Sequence, residues 1–241
     1  MTKVLYKRVL LKFSGEALAG QKHTGLDPEM ITQIATEIKS AAEAGVQMGI
    51  VFGGGNIFRG LSVAGEAMDR VRADYMGMLG TVINALAMQD ALEKLGLRTH
   101  VFSAVPMIEV AELMIIRNAR NYLDHGEIVI FSGGTGRPFF STDSGAALRA
   151  VEVQAEAIIK ATKVDGVFDK DPEKYDDAKF YSRLDYQTAI EKRLKVMDLT
   201  AITICQDNNL PIIVYNMKIP GNLRKVLTGA NVGTLITRSL L

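Results

Sequence analysis

The sequence predicts an α/β protein, a three-layer sandwich with a mostly parallel central sheet. Three observations carry that reading. Short apolar, β-branched runs alternate with helix-length segments across the 241 residues. The runs are apolar nearly throughout rather than at every second residue, as parallel strands covered on both faces require. Glycine-rich turns follow several runs, at the carboxyl ends where open α/β sheets bind ligands.

In chain order, the first strand is expected at 8–13, with Lys12 at its end before the turn Ser14-Gly15. A helix is predicted over 27–44, with Pro28 in its first turn. The strand 47–52 runs into Gly53-Gly54-Gly55. The helix 68–95 is apolar around most of its circumference, through Met76, Met78, Leu79, Val82, Ile83, Leu86 and Met88. Such a helix belongs to the core or is covered by another subunit, and Gly77 and Gly80 permit close helix approach. Strands at 98–102 and 127–131 bracket a helix at 111–123; a helix at 143–154, a strand at 157–161, a helix at 196–208 and strands at 212–215 and 232–236 complete the pattern. Residues 163–183 are charged, carry Pro172 and lack periodicity, so a long loop is expected there. No repeat, low-complexity tract or Pro/Ser linker marks a boundary, which predicts one domain with two lobes.

Hydrophobic content of 48% fills a core, and 28 basic against 27 acidic residues leave a net charge of +1. That balance gives no general case for binding nucleic acid or a membrane surface, so any anion-binding capacity is local. Cys205 is alone, fits a reducing compartment and lies in an apolar helical stretch, as a core residue does. The amino-terminal apolar run is too short for a signal peptide, and 76–88 is too short and too interrupted to span a bilayer. A soluble, cytoplasmic protein is expected.

The chemistry is concentrated in the glycine turns, where backbone amides and helix starts favour anions. No Gly-Lys dipeptide occurs, which excludes a Walker-A loop, and Phe58 and Phe139 stand where a dinucleotide fingerprint needs glycine. Lys12 is either a surface lysine or a cation that meets charge on a transferring phosphoryl group. Arg59 is a solvated loop arginine or a bidentate phosphate clamp. In Ser132-Gly133-Gly134-Thr135-Gly136-Arg137-Pro138-Phe139-Phe140-Ser141-Thr142-Asp143, hydroxyls and aromatic surface precede a carboxylate. Asp143 there is an N-cap, or it orients lysines or a hydrated Mg²⁺. Asp74, an acid in an apolar helix, needs a partner, either Arg70 or a sugar hydroxyl. Lys163-Val164-Asp165-Gly166-Val167-Phe168, followed by Asp171-Pro172, reads as a plain turn or as an aromatic that covers an adenine. His23, His100 and His125 share no catalytic spacing with a nucleophile, and no metal-ligand cluster stands out. Such a set suits in-line phosphoryl transfer, which rests on positioning and charge neutralisation.

The blocks 10–18, 53–60, 135–143 and 160–168, with Asp171-Pro172 and Lys195-Val196-Met197-Asp198, resemble the bacterial uridylate kinases of the amino-acid kinase fold. The resemblance runs in order from about Lys7 to Thr237. It implies Mg²⁺-dependent phosphorylation of UMP to UDP by ATP in pyrimidine nucleotide biosynthesis, with an acceptor-binding N-terminal lobe and an ATP-binding C-terminal lobe. On that resemblance Lys12, Phe13, Ser14, Gly15 and Gly55 touch the ATP phosphates, and Thr162, Phe168 and Asp171 surround its base and ribose. Gly54 and Asp74 hold UMP, and Thr135, Gly136, Arg137, Pro138, Phe139, Phe140, Ser141 and Thr142 hold its uridine and phosphate. Lys12, Arg59 and Asp143 form the catalytic set, and Mg²⁺ is held mainly by the ATP phosphates. The resemblance further implies a homohexamer, activation by GTP and inhibition by UTP. Activator contacts are expected at Gly20, Gln21, Lys22, His23, Thr24 and Gly25. This chain departs from the pattern at Arg137, where Asn is common, at Ser132-Gly133, and over 108–121. The rival expectations are a kinase for a carboxylate or carbamate and a nucleotide-binding protein without turnover.

Overall fold

The computed structural model describes residues 4–22, 24–58 and 68–238. Its centre is β1 (Arg8–Phe13), paired in parallel with β2 (Gln47–Phe52) on one side and β6 (Ala157–Thr162) on the other. Outward from β2 lie β5 (Ile128–Ser132), β3 (Thr99–Ser103) and the two-residue edge β4 (Glu112–Leu113). Outward from β6 lie β10 (Ile212–Asn216), β11 (Thr234–Thr237) and β9 (Arg183–Asp185), giving a nine-stranded sheet among the described residues. Within it only β10 and β11 pair antiparallel. The chain builds one half of the sheet, returns to the centre and continues on the other side. The crevice of such a fold opens where the strand order reverses, here at the carboxyl ends of β1, β2 and β6.

Strand parity decides which helix layer each residue meets. Val9, Leu11 and Phe13 enter the core beneath α1 (Pro28–Glu43), α2 (Arg70–Lys94) and α7 (Asn222–Leu227). Leu10, with Ile158 of β6, faces the layer of α3 (Ile116–Asp124), α4 (Thr142–Glu152), α5 (Tyr186–Glu191) and α6 (Leu199–Asp207). By the same alternation Lys12 and Lys160 belong to this second face. Local chemistry starts the helices: Asp27 accepts from Glu29 N at 2.9 Å and Met30 N at 3.4 Å, with Pro28 opening α1.

The predicted strands are all present within a residue or two, and most predicted helices likewise. The helix expected at 111–123 is shorter. Glu112–Leu113 instead joins the sheet beside Phe102 and Ser103, and the helix starts only after Ile115, which offers no side-chain cap. The loop expected at 163–183 contains a small antiparallel ladder of β7 (Val167–Phe168) with β8 (Phe180–Tyr181). These two-residue strands are too short to show periodicity. Among the described residues no helix is long and apolar enough to cross a membrane.

Helix α2 is core on one face only. Met78, Val82, Ala85, Met88 and Leu92 are buried, whereas Tyr75, Met76, Leu79 and Ile83 are exposed. Of the two helix glycines, only Gly80 serves a close approach, and it is to the Gly53 turn within the chain. A Cβ on Gly54 would press on the Gly77 carbonyl oxygen and lie 3.1 Å from Thr81 N, and one on Gly80 would lie 3.0 Å from Gly54 O. A Cβ on Gly77 would meet nothing within 4 Å. Gly54→Ala is therefore expected to destabilise the fold by about 1–3 kcal/mol through overpacking. Gly77→Ala should be neutral or stabilising by up to about 1 kcal/mol from helix propensity. Urea unfolding of the two variants checks this contrast.

Candidate active site

The carboxyl ends of β1 and β6 place Lys12 and Lys160 directly opposite one another in register, on the same face. Two ammonium groups so placed repel each other, and the helix layer above supplies the counter-charge. Asp143, the second residue of α4, lies 2.5 Å from Lys12 Nζ through Oδ1 and accepts a 2.9 Å hydrogen bond from Lys160 Nζ through Oδ2. Oδ1 meets Lys12 as an ion pair without hydrogen-bond geometry. Lys160 also donates to Val196 O at 2.5 Å. Lys12 is only 6% exposed, so the surface-lysine alternative is excluded. The N-cap alternative for Asp143 fails as well, because the cap of α4 is Ser141, whose Oγ accepts from Ser144 N at 3.1 Å.

Burial alone would raise the Asp143 pKa, but Lys12 and then Lys160 overcome it and hold the carboxyl below its usual value. Burial lowers the Lys160 pKa, with Asp143 opposing and Lys12 reinforcing the shift. Asp198, N-cap of α6, extends the network: it accepts from Ala201 N at 3.0 Å, from Ser144 Oγ at 3.0 Å and from Ser141 Oγ.

Beside this cluster opens a cavity of about 700 Å³. Gly54 and Gly55 line one wall, Arg70, Asp74, Met78 and Thr81 of α2 another, and Gly134, Thr135, Phe139, Phe140, Ser141 and Thr142 a third. The glycine turns touch: a Cβ on Gly15 would lie 2.6 Å from Gly53 O and 2.8 Å from Gly55 N. The loop leading to α4 winds through positive φ at Gly133, Gly134, Gly136 and Phe139. For Phe139, at φ 71°, this conformation is costly. Asp74 holds it by accepting from Phe139 N at 2.7 Å with Oδ2, while Oδ1 accepts from Arg70 Nε at 2.8 Å. The Arg70 guanidinium lies 5.5 Å from the Phe139 ring centroid. Asp74 thus has Arg70 as a partner, one of its two sequence alternatives.

Other expected residues fall elsewhere. Arg137 is exposed and off the cavity wall, bonded through its backbone to the Thr135 hydroxyl. Thr162 ends β6 and donates to Val164 O at 2.8 Å. Phe168 packs at 5.4 Å on Phe180, and Asp171 accepts from Glu173 N at 3.0 Å. None of these three lines the cavity. Arg59 and His23 lie outside the described residues. Gly20, Gln21 and Lys22 form a 3₁₀ turn, and Gly25 N donates to Asn56 O at 2.8 Å, which brings this segment against the Gly53 turn. Cys205 is fully buried, and burial first, then Asp143 and Asp198, push its thiol up to about 12, as befits a core residue. Lys160, Ser144 and Asp198 were not among the expected site residues. A lysine inside the apolar run Ala157-Ile158-Ile159-Lys160-Ala161 was the legible signal for the first.

The model of the amino acid kinase family matches residues 7–216. A UMP kinase of Bacillus anthracis superposes with a TM-score of 0.94 at 42% identity, covering 97% of this chain and 97% of that one. A UMP kinase of Ureaplasma parvum gives 0.90 at 36% identity, covering 96% and 98%. A uridylate kinase of Archaeoglobus fulgidus gives 0.73 at 29% identity, covering 95% and 99%.

The depressed Asp143 carboxyl fixes the sign of a pH effect. Its contribution to stability is fully present above the unfolded carboxylate pKa of about 4 and is lost as pH falls through the lower folded value. Asp143→Asn leaves two buried lysines without their counter-charge. It should cost about 3–5 kcal/mol near neutrality. It should also flatten the acid limb of the stability profile, as measured by denaturant unfolding between pH 7 and 3.

Proposed function

Because the chain belongs to the amino acid kinase family, we propose that it is a UMP kinase that transfers the γ-phosphoryl group of ATP in line to UMP, forming UDP for pyrimidine nucleotide synthesis. The observation that carries this reading is the buried Lys12–Asp143–Lys160 cluster beside the glycine turns and a nucleotide-sized cavity. Asp143 holds two cations in place without neutralising both. Lys12, at the turn Ser14-Gly15, then meets the charge that develops on the transferring phosphoryl group. Arg59, which lies outside the described residues, is assigned a phosphate clamp on the sequence resemblance alone.

The acceptor fits the cavity between Gly54, Asp74 and the Thr135–Thr142 loop, with Asp74 near the ribose and Phe139 and Phe140 offering aromatic surface. The donor fits the opposite side, at Gly15 and Gly55, with its base toward Thr162, Phe168 and Asp171. Among the described residues no group of three or more His, Cys, Asp or Glu side chains could hold a metal ion. Mg²⁺ carried on the nucleotide phosphates would have Asp198, which lines the cavity, and the buried Asp143 as the nearby carboxylates. When bound, the ion supplies charge neutralisation on the transferred phosphates. The exposed row Tyr75, Met76, Leu79 and Ile83 on α2 suits a second copy of the chain, within a hexamer. Regulation by GTP and UTP belongs to the same reading, with the 20–25 segment as the place where an activator acts.

Release of ADP from Mg·ATP, measured against UMP, CMP, AMP and acetylglutamate in parallel, tests the proposal. Turnover with UMP alone is expected, and UMP binding without turnover would overturn it in favour of a non-catalytic nucleotide binder. Lys12→Ala should lower kcat by about 10²–10³-fold with a smaller effect on UMP binding. Asp74→Asn should raise the KM for UMP about tenfold with kcat little changed.

A further inference from the structure

Two asparagines that contribute nothing to the cavity wall are buried side by side beneath it. Asn56 is 2% exposed and Asn84 is fully buried. Their amides exchange hydrogen bonds: Asn84 Nδ2 donates to Asn56 Oδ1 at 2.8 Å, and Asn56 Nδ2 donates to Asn84 Oδ1 at 3.0 Å. The remaining donors point outward from the pair. Asn84 Nδ2 reaches Gly53 O at 2.6 Å, and Asn56 Nδ2 reaches Gly25 O at 2.8 Å.

We infer that Asn84 is a positioning residue, which acts through Asn56 and the Gly53 carbonyl to fix the peptide planes of the Gly53–Gly55 turn for phosphate binding. A peptide unit is planar and trans, so a Gly53 carbonyl held toward Asn84 turns the Gly54 N–H the other way, and Gly54 lines the cavity. Glycine cannot hold that orientation by itself, because its φ and ψ are the least restricted of any residue. Nor does packing require the amides. Two apolar side chains would fill the same space without the desolvation of buried polar groups, and what they could not do is bind a carbonyl. One turn earlier on the same helix, Thr81 Oγ1 accepts from Gly133 N at 2.8 Å, so α2 sets both glycine loops that face the ligand. The bond to Gly25 O, with Gly25 N returning one to Asn56 O, joins Gly25 to the same junction.

The inference rests on the kinase reading for its ligand but not for its geometry, and the test separates the two. Asn84→Leu keeps the volume and removes the bonds; Asn84→Asp keeps the shape and removes the donors. Each is compared with wild type by urea unfolding, by steady-state kinetics with UMP, and by amide hydrogen exchange of the ligand-free protein. Expected are a KM for UMP raised about tenfold, the worth of one misaligned charge-assisted hydrogen bond, with kcat within about twofold. Faster exchange is expected in peptides spanning 53–56 and 24–25 and not elsewhere. An unchanged KM, or a kcat that falls in step with the folded fraction while KM holds, would overturn the inference. Absence of UMP turnover in the wild type would overturn the kinase reading instead. The exchange arm would then decide alone: unchanged protection at 53–56 in both variants sinks the positioning role.

Discussion

A carboxylate bridging two in-register lysines is the constraint around which this fold is arranged. Lys12 and Lys160 face each other across β1 and β6 because both pairing register and residue parity put them there. A slip of one residue in either strand would send one lysine into the opposite core. Like charges at that spacing are tolerable only with an anion between them, and α4 delivers Asp143 at the required height. That in turn fixes where the loop before α4 must end, and Ser141 caps the helix so that Asp143 is free of capping. Buried ion pairs of this kind seldom add stability over apolar residues of similar volume. Stability alone is therefore a weak account of this cluster, which lies at a switch point next to glycine turns.

The second constraint is clearance. The Gly53 turn lies against α2 so closely that a methyl group at Gly54 would collide with helix backbone. This contact brings Asp74, Thr81 and Asn84 within reach of the loops that α2 supports. The residues that look like a hydrophobic helix in sequence therefore perform two tasks. One face fills the core and positions the site, and the other is left apolar and exposed.

Much of this was legible in the sequence, for identifiable reasons. The parallel strands announced themselves because two-sided burial makes them apolar throughout, and Pro28 and the glycine turns punctuated the helices and loops. The two-residue strands β4, β7 and β8 escaped because they have no room for a period. In the site, Lys12 and Asp143 were readable from their places beside glycine turns, but their direct contact was not, since 131 positions of chain separate residues 12 and 143. Lys160 and Asp198 were overlooked because each sat in a segment read as secondary structure or as family likeness, the strand 157–161 and the helix 196–208, and not weighed for its own charge. The asparagine pairing was not legible, because a polar residue inside an apolar helix, as Asn84 is, looks the same whether it meets solvent, a ligand or a carbonyl, and an asparagine in a glycine turn, as Asn56 is, reads as ordinary turn chemistry.

Asp74 shows how a residue can hold the fold and still remain open to a ligand. Its oxygens accept from Arg70 and Phe139 N, and the second of these bonds secures a residue at positive φ on the cavity wall. A carboxylate, however, offers about four acceptor positions on its two oxygens. A sugar hydroxyl can therefore donate to Asp74 without displacing either partner, and the loop need not be released for the acceptor to bind. Displacement would surrender the bond that offsets the strain at Phe139, whereas sharing keeps it and adds a charge-assisted contact. On those energetics the acceptor of the proposed reaction would join an assembled wall, and Asp74 would contribute to its affinity through a geometry that Arg70 and Phe139 N already fix.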